Sequence, residues 1–319
     1  MKVFEQAKWV WIAPKGSVNE YGEFFASFTA DGKTNTVCRL SCDGDYTLFV
    51  NGKFVASNQY GDFEHYKIYD EIDITSYLQT GKNTLGVLVW HFGADTQRYL
   101  RAQAGLIFEV AQGENLLVYS DENTLCRQSK AYFSGYTKTV TPQIGFSFLY
   151  DAKKEDFWAT TGEDCIAATV VEKACVFYPR PIRKLQLLPR VNATVLKSKD
   201  TYFLLDLGEE TVGLASLAFY SETEQKIRVD WGEDLQNGHV RRLIGNRDFS
   251  FEYLAKKGEN AYTNYMLRLG GRYLEIYSEK PIQLSYAGLI PQVYPVQEKA
   301  AKLDDPLEQK IYDTCIKTL

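Results

Sequence analysis

Cysteine is sparse. Six of 319 residues are Cys (Cys38, Cys42, Cys126, Cys165, Cys175 and Cys315), and they are scattered. Cys38 and Cys42 fit one strand, four residues or about 13 Å apart, too far to bridge each other. Reduced thiols in a cytoplasm are expected, most of them acting as small buried hydrophobes. No apolar run approaches the roughly 18 residues that span a bilayer as a helix. Met1-Lys2-Val3-Phe4-Glu5-Gln6 places charge where a secretory leader needs an uninterrupted apolar stretch, so export by that route is not expected. There is no basic excess either: 36 Lys and Arg against 41 Asp and Glu leave a net charge of −5, which argues against a nucleic-acid binder. The three His (His65, His91, His239) lack metal-ligand spacing, and no Cys lies near enough to complete a set. A G-x-S-x-G elbow is missing, and Gly270-Gly271 has no following Lys-Ser or helix to make a phosphate loop.

Aromatic residues are abundant instead, at 14 % from 22 Tyr, 18 Phe and 5 Trp. Flat rings suit pleated sheets more than helices, and they also suit sugar-contacting surfaces. The length favours two domains. Short β-rich runs with turn signals every 8 to 12 residues fill the first half, which therefore reads as a sandwich or barrel. Asn51-Gly52 between two apolar runs is a hairpin signal, because both turn positions need positive φ. Asp73 or Thr75 can cap a single helical turn, and residues 84–92 form an almost wholly apolar strand. Trp9 and Trp11 share one face of an N-terminal strand and Val10 and Ile12 the other, so both faces are expected to be covered. Residues 134–157 carry few clean periods. Pro179, Pro181 and Pro189 mark a linker or domain edge. Strands then resume as separate runs, including 202–207, 213–220, 226–231, 262–267 and 273–278, making a second sandwich.

The last residues break this pattern. Asp304-Asp305-Pro306 is a helix start. Leu307, Ile311, Cys315 and Leu319 then lie at i, i+4, i+8 and i+12 as one apolar stripe. The stripe is expected to pack against another domain, and its abrupt stop suggests a cut helix; a short terminal helix docked on a sandwich is the alternative.

Candidate chemistry is thin. A glycosidase needs two carboxylates flanking one bond on facing elements. Glu209-Glu210 and Glu233-Asp234 are adjacent pairs, and neighbours on a strand point to opposite faces. Glu233 follows a strand and is the acid that could reach a cleft, although a solvated turn is the simpler reading. Trp90 and Trp231 end strands near loops, where ring faces could stack on a sugar; packing in a core or a domain interface is the competing expectation. His91, between apolar neighbours, is a further candidate for sugar contact, with a hydrogen-bonded core or rim histidine as the simpler reading. Arg241, Arg242 and Arg247 form the one basic cluster, read as a solvated loop or a ligand or interdomain contact. No catalytic residue and no metal ligand is assigned.

Several motifs carry a resemblance. Asp206-Leu207-Gly208-Glu209-Glu210-Thr211-Val212-Gly213, followed by Ile227-Arg228-Val229-Asp230-Trp231-Gly232-Glu233-Asp234-Leu235, resembles the β-sandwich of bacterial α-L-rhamnosidases, glycoside hydrolase family 78. Gly270-Gly271-Arg272-Tyr273-Leu274-Glu275 is similar to that family's later G-F-R-Y-x-x-(E/V) strand, with Gly271 where Phe is usual. Tyr46 through Asn51-Gly52, Tyr69-Asp70 through Leu78, and Gly81-Lys82-Asn83 resemble its N-terminal jelly roll. Tyr150-Asp151-Ala152-Lys153-Lys154-Glu155 lies near its Y-D-A-R-x-E. The resemblance implies an all-β chain of two tandem sandwiches with a short C-terminal helix. A jelly-roll or galactose-binding-like domain would occupy 1–178 and a concanavalin-like domain 179–297. Residues 298–319 would be the first helix of an (α/α)6 catalytic domain that is otherwise missing. The implied partners are that domain and a rhamnose-containing glycan or glycoside. The acids that invert the bond lie in the barrel, so none is carried onto this chain. Some related jelly rolls bind sugar with calcium; here Asp43, Asp45 and Asp62 read as ordinary turn acids, and no cofactor is assigned. The function expected is that of a non-catalytic region of a rhamnosidase-like hydrolase. A free-standing carbohydrate-binding module is the alternative, and an adhesive or structural sandwich protein a third.

Overall fold

Asn51 and Gly52 adopt φ of 51° and 73°, as a two-residue hairpin turn requires. They join two strands, β4 (Asp45–Val50) and β5 (Lys53–Ser57). The surrounding structure, a computed structural model, describes residues 3–296 and 301–317.

Among the described residues the first unit is two facing sheets. One has seven strands and the other six. The larger sheet runs through β1 (Val10–Trp11), β3 (Thr36–Cys42), β6 (Tyr66–Asp73), β8 (Leu106–Gln112) and β9 (Asn115–Tyr119). The smaller is centred on β2 (Glu20–Ala30), β7 (Gly81–His91) and β4, with β10 (Leu125–Gln128) beside β2. Alternation sorts the side chains. Leu48, Val87 and Val89 turn inward to meet Trp11, Leu40 and Phe108, while Leu88 and Trp90 turn to the opposite face. That opposite face is itself covered by the second unit, which explains why β7 is apolar on both sides. Trp9, Val10 and Trp11 are all buried, as both apolar faces of that strand require.

The second unit is one nine-stranded sheet. The separate runs read from the sequence fuse: Tyr202–Ser221 is a single strand (β14) and Gly258–Ser278 another (β17). Their mutual register shifts between Asp206 and Thr211 and again between Leu214 and Ser216. At such bulges a strand can pass from one layer of a sandwich to the other. Between them in sequence lie β15 (Gln225–Gly232) and β16 (Ser250–Ala255), and β18 (Ile282–Val293) follows. Leu205, Phe219, Ile227, Phe251, Tyr253 and Ile276 form the core of this unit. That core is continuous with Tyr21, Leu88 and Trp90 of the first.

The middle stretch, irregular by sequence, ties the units together. Leu149–Asp151, preceding the second unit in sequence, pairs in parallel with Glu252, Tyr253 and Leu254 of β16. Asp151 accepts from the Lys153 N–H to cap the turn at Ala152–Lys154. Farther on, Val176–Pro179 still pairs with β6, whereas Gln186–Leu187 already pairs with β18. The proline-bracketed crossing thus spans a few residues.

The helical turn after β6 is a 3-10 turn, Thr75–Tyr77, with the Thr75 N–H donating to Asp73. The terminal helix α2 (Pro306–Lys317) begins as its sequence directs: Asp305 Oδ1 accepts from the Leu307 and Glu308 N–H groups. Leu307, Ile311 and Cys315 are exposed on it, and Leu319 lies outside the described residues. Cys38, Cys42, Cys126, Cys165 and Cys175 are free thiols. Among the described residues no helix is long and apolar enough to cross a membrane.

Candidate functional site

Between β3 and β4 the chain turns at Asp43-Gly44-Asp45. Gly44 stands at φ 100°, and a Cβ there would meet the Trp90 carbonyl oxygen at 2.1 Å. This close approach draws Asp43 and Asp45 inward, and both are buried; the Asp62 side chain is 6 % exposed against Lys67, so none of the three is a solvated turn residue. Asp43 Oδ2 accepts from the Tyr99 hydroxyl at 2.6 Å and meets His91 Nδ1 at 2.8 Å. Its Oδ1 faces Lys173 at 3.4 Å and Lys67 at 3.8 Å. Burial alone would raise the Asp43 pKa; the His91 hydrogen bond and the two ammonium groups outweigh it and hold the carboxyl at about 2. Lys67 also donates to Asp62 at 2.5 Å. Lysine nitrogens therefore occupy the places a cation would take around Asp43 and Asp62, and these residues do not fit calcium.

Asp45 differs. Its Oδ1 accepts from the Tyr46 and Gln59 N–H groups at 2.9 and 2.8 Å. Among the described residues its Oδ2 accepts nothing. Asp45 is 4 % exposed and lines a cavity of about 320 Å³ at the seam between the two units. Burial pushes its pKa up, with the positive charge of Arg98 opposing. The first unit also gives the cavity Gln59, Tyr60 and Arg98, the crossing gives Arg180 and Arg183, and the second unit gives Tyr265, Met266 and Arg268. Arg180 pairs with Asp70, which Lys184 and the Tyr46 hydroxyl also reach, at 2.9 and 2.5 Å. The crossing is thereby pinned to the first unit.

The residues expected to meet a sugar are placed elsewhere. Trp90 is 1 % exposed, stacked on Tyr21 with ring centroids 5.3 Å apart and donating to Asn19 Oδ1. Trp231 is buried against Phe249 and Phe251. Neither ring has a face open to a ligand, because the second unit covers β7 and β15 points Trp231 into the shared core. His91 is the hydrogen-bonded core histidine described above. Glu233 lies exposed in a bend after β15. Of the basic cluster, Arg241 pairs with Asp234, and Arg242 pairs with Asp248 and faces Asp230.

The motifs at 206–213, 227–235 and 270–275 converge on one sheet. Arg272 grips Asp206 with two hydrogen bonds of 2.8 Å, and Asp230 lies directly opposite Glu275 in the β15–β17 register. Where the family usually has Phe, Gly271 is in close contact: a Cβ would stand 2.7 Å from the Gly232 carbonyl oxygen. Glu275 accepts from the Tyr202 hydroxyl at 2.5 Å and the Val240 N–H at 3.2 Å and meets His239 Nδ1 at 2.8 Å. Asp230 accepts from Arg228 at 2.9 Å. Burial lifts the Asp230 carboxyl to about 6 against the pull of Arg228 and Arg242. This pair went unrecognised in the sequence, since its members are 45 positions apart and only strand register unites them. Both acids sit side by side on one sheet face and line a hollow of about 330 Å³ together with Arg228, His239 and Arg242.

Residues 196–288 match the family described as the bacterial alpha-L-rhamnosidase concanavalin-like domain. That stretch is similar to a rhamnosidase concanavalin-like domain. The whole chain shares its fold with solved rhamnosidases. A family 78 rhamnosidase of Bacillus sp. GL1 superposes with a TM-score of 0.79 at 15 % identity, covering 95 % of this chain and 57 % of that one. The α-L-rhamnosidase of Aspergillus terreus gives 0.72 at 17 %, covering 97 % and 38 %. That of Streptomyces avermitilis, determined with L-rhamnose, gives 0.70 at 19 %, covering 92 % and 31 %. The chain thus spans 31 % to 57 % of these relatives' lengths. At such identities the likeness establishes the fold: two tandem β-sandwiches, the second of them the concanavalin-like domain. No curated protein matches the sequence.

Proposed function

We propose that this chain is the non-catalytic β-sandwich region of an α-L-rhamnosidase-like glycoside hydrolase, whose whole form cleaves terminal α-L-rhamnosides with inversion. The observation that carries the reading is the likeness along nearly the full chain to rhamnosidases that extend well beyond it. The buried acids support it. Asp43, Asp70, Asp230 and Glu275 are each engaged by cationic or hydroxyl groups, and no two of them face each other across an open cleft as glycoside cleavage needs. The acids of the reaction therefore belong to a helical domain outside this chain. Leu307, Ile311 and Cys315 on α2 form the face that meets it, in a reducing cytoplasm that suits the free thiols of Cys38, Cys42, Cys126, Cys165 and Cys175. The test is turnover of an aryl α-L-rhamnoside by the pure chain, expected to be nil.

A second reading, a free-standing carbohydrate-binding module, is favoured by one observation: the seam cavity with its open carboxylate oxygen. Titration with L-rhamnose and rhamnosyl oligosaccharides separates the two. Millimolar or tighter binding supports the module, and silence supports the scaffold.

A further inference from the structure

Charge is concentrated at the seam cavity. Four guanidinium groups line it, from Arg98, Arg180, Arg183 and Arg268, against the two carboxylates of Asp45 and Asp62. Two of these six charges are satisfied locally, Arg180 by Asp70 and Asp62 by Lys67. Among the described residues Arg98, Arg183 and Arg268 form no ion pair; Arg98 lies over the Phe92 ring, and Arg268 donates to the Gln292 carbonyl. A pocket with three unpaired arginines stands out in a chain of net charge −5. Beside them is the opposite feature, the buried Asp45 carboxylate with its Oδ2 unpartnered. That oxygen opens onto the cavity and receives no hydrogen bond from the described residues, so it is free to accept one from a ligand hydroxyl.

One ligand must therefore offer both a hydroxyl donor and an anion. The guanidinium fork matches carboxylate geometry with paired hydrogen bonds. Tyr60 and Tyr265 add ring surface for the apolar face of a sugar, and the volume of about 320 Å³ is at the small end for a ligand site. We propose that the seam cavity binds an acidic saccharide, with a uronate carboxylate on the unpaired arginines and a ring hydroxyl donating to Asp45 Oδ2. A neutral sugar leaves the arginines uncompensated, and a bare inorganic anion leaves Asp45 without a donor. The proposal stands on the cavity alone and does not depend on the rhamnosidase reading.

Calorimetric titration of the full chain at low salt tests it, with D-galacturonate and D-glucuronate as probes and the neutral galacturonate methyl ester, L-rhamnose and inorganic sulfate as comparators. A uronate is expected to bind about tenfold tighter than the methyl ester, and Arg98→Gln or Arg268→Gln to weaken it by about as much. Both arginines are exposed, so these variants keep the fold. Asp45→Asn is expected to weaken the uronate but not sulfate, with a thermal melt confirming that it folds. Equal affinity for acid and ester, no uronate binding up to about 20 mM, or equal losses of uronate and sulfate in Asp45→Asn would each overturn the proposal. Rhamnoside turnover by the chain would refute the earlier reading and leave this site standing.

Discussion

Asp230 and Glu275 stand opposite each other on neighbouring strands of the concanavalin-like domain, each only 1 % exposed. Two buried like charges at one cross-strand position repel each other. What holds them is the segment that follows β15. It brings the His239 ring and the Val240 N–H to Glu275 and the Arg242 guanidinium towards Asp230. The pair is therefore a clamp for residues 235–248, and its chemistry is that of a latch on the sheet face.

The latch makes stability depend on pH. The folded Asp230 carboxyl titrates at about 6 and an unfolded one at 3.8, so the folded state holds the extra proton between those values. Stability from this group is greatest below pH 3.8 and falls as pH rises through 6, on the order of 3 kcal/mol in all. Asp230→Asn removes that slope. Chemical denaturation of both proteins from pH 4 to 7 is expected to show the variant gaining on the parent as pH rises; parallel curves would refute the assignment.

Asp43 has the opposite sign. Its folded pKa of about 2 lies below the ordinary 3.8, so its contribution is present above pH 3.8 and is lost as pH falls through 2. Asp43→Ala leaves Lys67 and Lys173 buried with one carboxylate fewer between them. A loss of about 3–5 kcal/mol at pH 7 is expected in urea unfolding. A change under about 1 kcal/mol would contradict the network described.

Trp90 lies where the two units share a core, so its loss is felt by both. Trp90→Ala is expected to cost about 3–5 kcal/mol and to lower the melting temperatures of the two units together. A variant that melts one unit early while leaving the other unchanged would show that the seam is not cooperative.

Leu307 and Ile311 are exposed on α2, so the double change Leu307→Ser, Ile311→Ser is expected to alter the stability of this chain by no more than about 0.5 kcal/mol. Its effect belongs to the proposed helical partner. Supplied separately, that domain is expected to bind the parent chain and not the variant in a pull-down.

Local signals carried much of the fold. Asn51-Gly52 marks its hairpin through a φ requirement that few residue pairs meet, and Asp305 caps α2 where the sequence places it. The long strands were less legible. Gly208 and the glycines at 270 and 271 read as breaks, yet the bulged strands pass through them. Burial was the least legible property. Trp90 and Trp231 at strand ends, and Asp43, Asp45 and Asp62 in turns, are hidden by residues far away in the chain, and no local pattern encodes which face another unit will cover. The same holds for the seam cavity, whose Asp45, Arg98 and Arg268 meet only after both units have folded.

The central proposal is that the acids of the reaction lie outside these sandwiches. Incubation of the purified 319-residue chain with 4-nitrophenyl α-L-rhamnopyranoside, followed by the release of nitrophenol, tests it in one step. Release indistinguishable from the buffer blank is the predicted result. Enzyme-dependent release that scales with protein concentration and survives repurification would contradict it.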